Sequence, residues 1–332
     1  MPIDRHARRF LEMLAAAGES RGRYERVEER RTSLLNLTRL VDPPVTPIGG
    51  VRDRLLAVDD GHIALRVYSP EGAPSRRLPG MMFFHGGGWV AGNLESHDGT
   101  CRRLANESGC RLVAVDYRLA PEHRFPHGLN DCVAATRHVA HHADDFGIDP
   151  ARLGVAGDSA GGGFAASVCR MARDEGGPAI AFQLLLCPIL DIFAEAPSRR
   201  ELQEGYFLDR ATMERDLEFY LPEDVDRADP RLSPLQAGDL AGLPPAFIHT
   251  AQFDPFSDEG EAYARRLNKA GVAVQGECHQ GMIHFFYAMP RMIPQARPAM
   301  QRIGAQIRHA VQLPKAPERR TQSRARPEAM RA

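Results

Sequence analysis

The sequence lacks the patterns that would place the protein in a membrane, outside the cell or on a nucleic acid. No apolar run is long enough to span a bilayer. The first thirty residues mix Arg with Glu and Asp and contain no continuous apolar stretch of the kind found in a secretory signal. The formal net charge is only -1, which gives no overall attraction to nucleic acid or anionic lipid. We therefore expect a cytoplasmic protein that binds no nucleic acid and does not span a membrane.

Metal and cofactor patterns are missing as well. The six cysteines are scattered, with no CxxC pair and no zinc-like spacing, so we expect them to be reduced and mostly buried. No group of His and Asp residues has the spacing of metal ligands. The P-loop pattern and the dinucleotide-binding glycine pattern are also absent. The sequence therefore predicts no metal and no cofactor.

The sequence does contain enough apolar material for a large folded core, since 43% of its 332 residues are hydrophobic. Residues 54–58 and 63–68 have β character, and the Asp-Asp-Gly between them is typical of a hairpin turn. Beyond them, short apolar runs alternate with segments of helical periodicity. This alternation predicts an α/β fold with a parallel sheet covered by helices on both faces. The runs lie at residues 81–84, 112–115, 153–156, 182–186, 246–250 and 272–277.

Segments outside this alternation suggest the domain organisation. Residues 1–50 contain a helical segment and a Pro-rich connector, and residues 191–235 form a helical insertion between two strands. We expect these two segments to form a cap over a main α/β domain made of residues 51–190 and 236–312. Residues 313–332 are rich in Pro, Arg and Ser and are expected to be a disordered basic tail.

The strongest local signal is the pentapeptide Gly157-Asp158-Ser159-Ala160-Gly161, a G-x-S-x-G sequence. It follows an apolar strand and opens a helix rich in small residues. A nucleophilic serine needs this strand–turn–helix context, because the tight turn projects its hydroxyl above the sheet. The alternative is a glycine-rich turn of purely structural use. We predict that Ser159 is a nucleophile.

A second glycine-rich segment follows the apolar run at residues 81–84. His85 is followed there by three glycines and by Trp89. Glycines at the end of a buried strand leave backbone N–H groups close to a ligand, as acyl transfer requires for its oxyanion. The N–H group of Ala160 would add another donor. His85 is expected to hold this loop through hydrogen bonds rather than to act as the base.

The acid and the base should follow the serine in the order Ser, Asp, His. Asp254 comes directly after the predicted strand at residues 246–250, where sites of open α/β sheets collect. Asp258 is its rival but is expected to begin the next helix. His284 lies in a glycine-containing apolar segment after the last predicted strand, and His279 is the nearest competitor. We predict that His284 activates the serine and that Asp254 orients it.

Four motifs in this order resemble those of the hormone-sensitive-lipase-like esterases, the bacterial family IV carboxylesterases of the α/β-hydrolase fold. The motifs are HGGGW, VDYRLAPE, GDSAGG and the FDP segment followed by Gly281 and His284, all within about residues 78–286. The resemblance implies a mostly parallel central sheet, a helical cap and a serine carboxylesterase. It also implies that Gly87, Gly88 and Ala160 donate to the oxyanion.

Substrate contacts are predicted at five positions. Large side chains near the expected pocket favour short-acyl esters, and the partner would be a small-molecule ester. The sequence departs from many family members at Gly163 and Phe164, where Asn and Leu are common. By analogy with the family, the protein would be a monomer or a homodimer. The predicted substrate-binding residues are Trp89, Asp158, Phe207, Met282 and Ile283.

Two alternatives stay open at this level. A non-catalytic binding protein could use the same fold, although relatives of that kind lose the histidine that His284 provides here. An amidase or lactonase could use the same triad, because one acyl-enzyme mechanism serves esters and activated amides.

Overall fold

The computed structural model describes residues 1–16, 24–42, 45–59, 61–73 and 77–312. The predicted tail at residues 313–332 lies outside this part of the chain. None of the helices in these ranges is long and apolar enough to cross a membrane.

One eight-stranded sheet forms the centre of the described chain. The strand order is β1-β2-β4-β3-β5-β6-β7-β8, with β1, β2 and β4 paired antiparallel and all other neighbours parallel. The predicted hairpin is β1 and β2, and every predicted apolar run overlaps one of the other strands. The strands are β1 (Gly50–Val58), β2 (Gly61–Ser69), β3 (Leu78–Phe84), β4 (Arg111–Asp116), β5 (Ile148–Asp158), β6 (Gln183–Leu186), β7 (Ala246–Phe253) and β8 (Val274–Ile283).

Helices cover both faces of the sheet, as the alternating pattern predicts. Short 3₁₀ turns occur at Pro234–Gln236 and Phe286–Ala288. The α-helices of the described residues are α1 (Arg5–Ala16), α2 (Val27–Val41), α3 (Asp98–Ser108), α4 (His127–His141), α5 (Ala160–Asp174), α6 (Pro197–Glu201), α7 (Arg210–Tyr220), α8 (Ser257–Lys269) and α9 (Ala296–Gln312).

The sheet separates two apolar cores. Strand β3 is buried along its whole length, and its residues alternate between the cores because successive side chains point to opposite faces. Met82 and Phe84 pack with residues of α4, α5 and α8. Met81 and Phe83 pack with α1, α3 and α9. Helix α1 therefore belongs to the body of the molecule, although the whole of residues 1–50 was expected in the cap.

Strand β8 extends further than its apolar pattern suggests. The prediction ends the strand at residue 277 and places the following glycine-rich segment in a loop. In the structure the strand continues to Ile283, with a register shift against β7 between Ala251 and Phe253. The chain leaves the sheet only at His284 and Phe285, where Phe285 adopts a left-handed conformation with φ of 64°.

Candidate active site

Ser159 lies on the sharp turn between β5 and α5. Its backbone has φ of 52° and ψ of −121°, a conformation that a residue with a side chain rarely adopts. The flanking glycines are required sterically. A Cβ at Gly157 would overlap the backbone of Gly161, and a Cβ at Gly161 would overlap the carbonyl of Phe84. The strained turn lifts Ser159 above the carboxyl end of the sheet, as predicted.

The loop after β3 lies beside this turn. Gly87 and Gly88 have φ of 124° and 63°, so only glycine fits without strain. The Tyr117 hydroxyl donates to the carbonyl of His85 at 2.6 Å. The His85 ring stacks on Tyr117, with ring centres 4.2 Å apart, and its Nδ1 lies 2.9 Å from the carbonyl oxygen of Gly86. Burial lowers the pKa of His85 to about 3, so its ring is neutral and helps to hold the loop.

Asp158 anchors the same loop from the neighbouring strand. Its side chain is completely buried, and its Oδ1 accepts the N–H of Gly86 at 2.9 Å. Its Oδ2 accepts the Tyr287 hydroxyl at 3.2 Å and lies 3.4 Å from Nε2 of His97. Burial opposes ionisation of Asp158, but His97 and the Gly86 N–H lower its pKa overall. Asp158 was predicted to bind substrate; it lies at the cavity of Ser159, and both of its oxygens also accept hydrogen bonds from protein donors.

Asp254 and His284 meet at the carboxyl ends of β7 and β8. Nδ1 of His284 lies 2.8 Å from Oδ2 of Asp254, and both side chains are buried. Oδ1 of Asp254 accepts the N–H of Phe256 at 2.9 Å. One oxygen of the carboxylate is therefore held by a backbone N–H group, and the other faces the imidazole. The contact with the imidazole keeps the proton of a neutral ring on Nδ1.

The two rival residues lie elsewhere. Asp258 is in the first turn of α8, as expected, and accepts the N–H of Ser198 at 2.9 Å. His279 lies inside β8, with its Nε2 3.2 Å from Nδ1 of His249, whose other nitrogen contacts Gln306 of α9 at 3.0 Å. Burial lowers the pKa of His279 to about 4. Neither residue is among those that line the cavity of Ser159 and His284.

Cys187 is a contact of Asp254 that the sequence did not reveal. It follows β6 with φ of 44°, and its buried sulfur lies within 4.8 Å of the Asp254 carboxylate and the His284 ring nitrogen. Burial first, and Asp254 second, raise the pKa of this thiol well above its ordinary value. The thiol is therefore neutral, and it can donate to the carboxylate that faces His284.

A cavity of about 230 Å³ opens above Ser159 and His284. We call the residues on and directly behind its lower side the floor: Ser159, His284, Asp254 and the loop from His85 to Trp89. We call its upper side the roof: Tyr24, α2, Phe207, Leu208 and α7. Apolar side chains dominate the lining, including Leu34, Leu37, Trp89, Ile189, Ile192, Phe207, Leu208, Met213, Leu217, Phe256 and Phe285.

Two predicted substrate contacts do not line this cavity. Met282 and Ile283 are buried in the core shared with α1 and α9. The reason is the extra length of β8, since both residues are still part of the sheet and pack as core residues. Trp89, Asp158 and Phe207 do line the cavity. The nearest cavity-lining residue in this part of the sequence, apart from His284, is Phe285.

One polar cluster interrupts the apolar roof. Asp216 of α7 accepts the Tyr24 hydroxyl and lies 3.3 Å from Nη2 of Arg30, on α2. Asp216 and Arg30 are nearly inaccessible to solvent, with 7% and 16% of their side chains exposed. The cluster joins the amino-terminal segment to α7 directly above Gly88. Sequence reasoning missed it, because nothing local relates residues 30 and 216.

Two groups of side chains in the described ranges bring metal-ligand atoms close together. One is Cys187, Asp254 and His284, where the contacts above already use the carboxylate and the imidazole. The other is His249, Glu277 and His279, away from the cavity. There Glu277 pairs with Arg302 at 3.0 Å. In both groups, side chains that could bind a metal ion therefore already contact other side chains of the protein.

Comparison with known proteins agrees with this architecture. A family described as having the alpha/beta hydrolase fold matches residues 81–288. The chain belongs to the α/β-hydrolase family. The resemblance to hormone-sensitive-lipase-like esterases is thereby confirmed, and with it the predicted fold class.

Several relatives of this α/β hydrolase have names that state an activity. Carboxylesterase NlhH of Mycobacterium tuberculosis is 40% identical over 86% of this chain and 90% of its own length. Carboxylic ester hydrolase LipN of the same species is 43% identical over 68% of this chain and 62% of its own length. An ester hydrolase from the metagenome of Lake Arreo has a solved structure with TM-score 0.89, at 41% identity over 94% of this chain and 100% of that one.

Proposed function

We propose that this α/β hydrolase, a carboxylic ester hydrolase like its named relatives, cleaves short-acyl esters through an acyl-enzyme on Ser159. The observation that carries the proposal is the 2.8 Å contact between His284 and Asp254 at the edge of the cavity that Ser159 also lines. A serine, a histidine and a buried carboxylate in this chain order form the set needed for nucleophilic acyl transfer.

In the first half-reaction, Oγ of Ser159 attacks the ester carbonyl while Nε2 of His284 takes the hydroxyl proton. Asp254 keeps the other imidazole proton on Nδ1 and stabilises the imidazolium that forms. The carbonyl oxygen becomes an oxyanion, which accepts hydrogen bonds from the N–H groups of Gly87, Gly88 and Ala160. The C–O bond then breaks, and the imidazolium gives its proton to the departing alcohol.

In the second half-reaction, water replaces the alcohol. His284 takes a proton from the water as its oxygen attacks the acyl-enzyme carbonyl, and the same backbone donors bind the new oxyanion. The bond to Oγ breaks, the imidazolium returns the proton to Ser159, and the carboxylic acid leaves. Every proton transfer in this scheme is carried by Ser159, His284, water or the substrate itself.

The preference for short acyl chains is supported by the size and the apolar lining of the cavity. About 230 Å³ of largely apolar space suits a small ester better than a long acyl chain. Phe207 and Trp89 limit this space from the roof and the floor. We further propose that α2 and residues 191–235 are the cap that shapes it.

The test is hydrolysis of p-nitrophenyl butyrate by the wild type, Ser159→Ala and His284→Ala. We expect turnover by the wild type and a loss of at least about 10⁴-fold in kcat for each variant. His279→Gln changes the rival histidine and is expected to keep kcat within about threefold. Turnover that survives in both triad variants would refute the assignment of the site. An inactive wild type that still binds the ester would favour the binding-protein alternative.

A further inference from the structure

A buried acidic side chain lies beside the proposed oxyanion hole. The carboxylate of Asp216 packs against the backbone of Gly88, so closely that a Cβ at Gly88 would overlap it. Asp216 is buried, and it lines the same cavity as Ser159 and Gly88. An uncompensated carboxylate at this place would oppose the negative charge that develops on the substrate oxygen during acyl transfer.

Two residues of the amino-terminal segment compensate this charge. Nε and Nη2 of Arg30 lie 3.4 and 3.3 Å from the two carboxylate oxygens, and the Tyr24 hydroxyl donates to Oδ1. Burial raises the pKa of Asp216, whereas Arg30 and Tyr24 favour its ionised form. The other acid that acts on Asp216 is Asp209, whose Oδ1 accepts the N–H of Thr212 at 2.7 Å. Arg30 is therefore the cation that neutralises Asp216.

We infer that Arg30 is a positioning residue for ester hydrolysis that cancels the charge of Asp216 behind Gly88 and thereby protects the stabilisation of the oxyanion. The inference rests on the proposed function. It predicts an asymmetry within one ion pair: removing the cation harms the reaction, whereas removing the anion together with the cation restores it.

A purely mechanical role predicts something else. If the cluster only fastened the amino-terminal segment to α7, then Arg30→Met, Asp216→Asn and the double variant would each break the same fastening. All three would then lose activity to a similar extent, with KM affected at least as much as kcat. Recovery of kcat in the double variant therefore separates charge compensation from simple fastening.

The experiment measures kcat and KM for p-nitrophenyl butyrate between pH 6 and 9 in the wild type, Arg30→Met, Asp216→Asn and the double variant. We expect Arg30→Met to lower kcat about 10- to 100-fold, Asp216→Asn to lower it less than about fivefold, and the double variant to match Asp216→Asn. The deficit of Arg30→Met should grow as pH rises, because Asp216 then carries its full charge, and this pH dependence should vanish in the double variant.

A control cycle uses Arg210 and Glu214, an exposed ion pair on α7 with Nε 2.6 Å from Oε1. Arg210→Met, Glu214→Gln and their combination are expected to change kcat less than about twofold. This control shows whether loss of any ion pair from the roof disturbs the reaction.

Thermal unfolding of the same variants gives a second readout that does not depend on turnover. Arg30→Met should lower Tm by several degrees, and the double variant should recover part of that loss, because an unpaired buried charge costs more than a neutral pair. Equal loss of kcat in Arg30→Met and the double variant, with an active wild type, would overturn the inference. Additive changes in Tm would overturn the proposed compensation itself. An inactive wild type would instead refute the proposed function, while the Tm cycle would still decide whether Arg30 compensates Asp216.

Discussion

The floor and the roof of the cavity are built in different ways. The floor residues stand at the carboxyl ends of neighbouring strands, and hydrogen bonds to backbone groups hold the glycine loop and Asp254. The roof residues belong to two segments far apart in the chain, and side-chain contacts such as Arg30 with Asp216 join them. The difference teaches that backbone geometry carries the proposed chemistry, whereas side-chain packing carries the proposed substrate selectivity.

Backbone strain is concentrated around the cavity, in both the floor and the roof. Five non-glycine residues of the described chain have positive φ, and four of them line the cavity. The sulfur of the fifth, Cys187, lies within 4.8 Å of the Asp254 carboxylate. Such conformations persist only where the surrounding structure enforces them, and they cluster at functional sites. The four lining residues are Trp89, Ser159, Phe207 and Phe285.

The largest effect is expected at the buried acid of the floor. Asp254→Asn should lower kcat about 10³- to 10⁴-fold, because the amide can stabilise the wrong tautomer of His284 and cannot stabilise an imidazolium. Asp258→Asn is the matched control, since that carboxylate caps a helix away from the cavity. Steady-state hydrolysis of p-nitrophenyl butyrate measures both. Comparable losses in the two variants would contradict the choice between these acids.

The next effect is expected at the contact between floor and roof. Gly88→Ala should lower kcat about 100- to 1,000-fold, because its φ of 63° disfavours any side chain and the added methyl would displace Asp216. Gly205→Ala is the control: its φ of 81° is similarly unfavourable, but a Cβ there meets open space. If both substitutions cost activity equally, backbone strain rather than the oxyanion loop would be the cause.

A smaller effect is expected behind the floor. Cys187→Ala removes the neutral thiol beside Asp254 and should lower kcat about fivefold, the equivalent of about 1 kcal/mol for one hydrogen bond. Cys187→Ser keeps a donor and should stay within about twofold of the wild type. Cys169→Ala, on α5, removes a buried thiol with no charged neighbour and controls for packing. Wild-type kcat in Cys187→Ala would show that the Phe256 N–H alone fixes Asp254.

The smallest effect is expected in the roof. Phe207→Ala should raise KM for the butyrate ester about three- to fivefold with little change in kcat, because the side chain packs beside Phe285 and closes the pocket. The same variant should gain relative activity on an octanoate ester. Phe193→Ala, which lies outside the cavity lining, is the control. A large fall in kcat would show that Phe207 affects the chemical step, and it would contradict the proposed difference between floor and roof.

Local sequence patterns predicted most of the floor. Apolar runs located β3 to β8, and the hairpin pattern located β1 and β2; the turn around Ser159, the glycines after β3 and the position of Asp254 follow from where their strands end. The pattern failed where a strand runs on without a change in composition, so Met282 and Ile283 were assigned to the pocket although they belong to the core.

The roof could not be predicted in the same way. Arg30 and Asp216 lie 186 residues apart, and each looks in sequence like an ordinary charged residue on a helix. Cys187 is equally unremarkable as a single cysteine after a short strand. Their roles depend on which segments the fold brings together, and no local periodicity encodes that.

The sequence separation between Arg30 and Asp216 also bears on the order of events during folding and heating. A contact across 186 residues forms only after the sheet has brought both segments near Gly88, since the entropy of closing so long a loop must first be offset. The pocket would accordingly be among the last parts of the molecule to close and among the first to open. On slow warming, hydrolysis should then decline before the helical circular dichroism signal does, and it should return on cooling as long as the sheet has stayed intact.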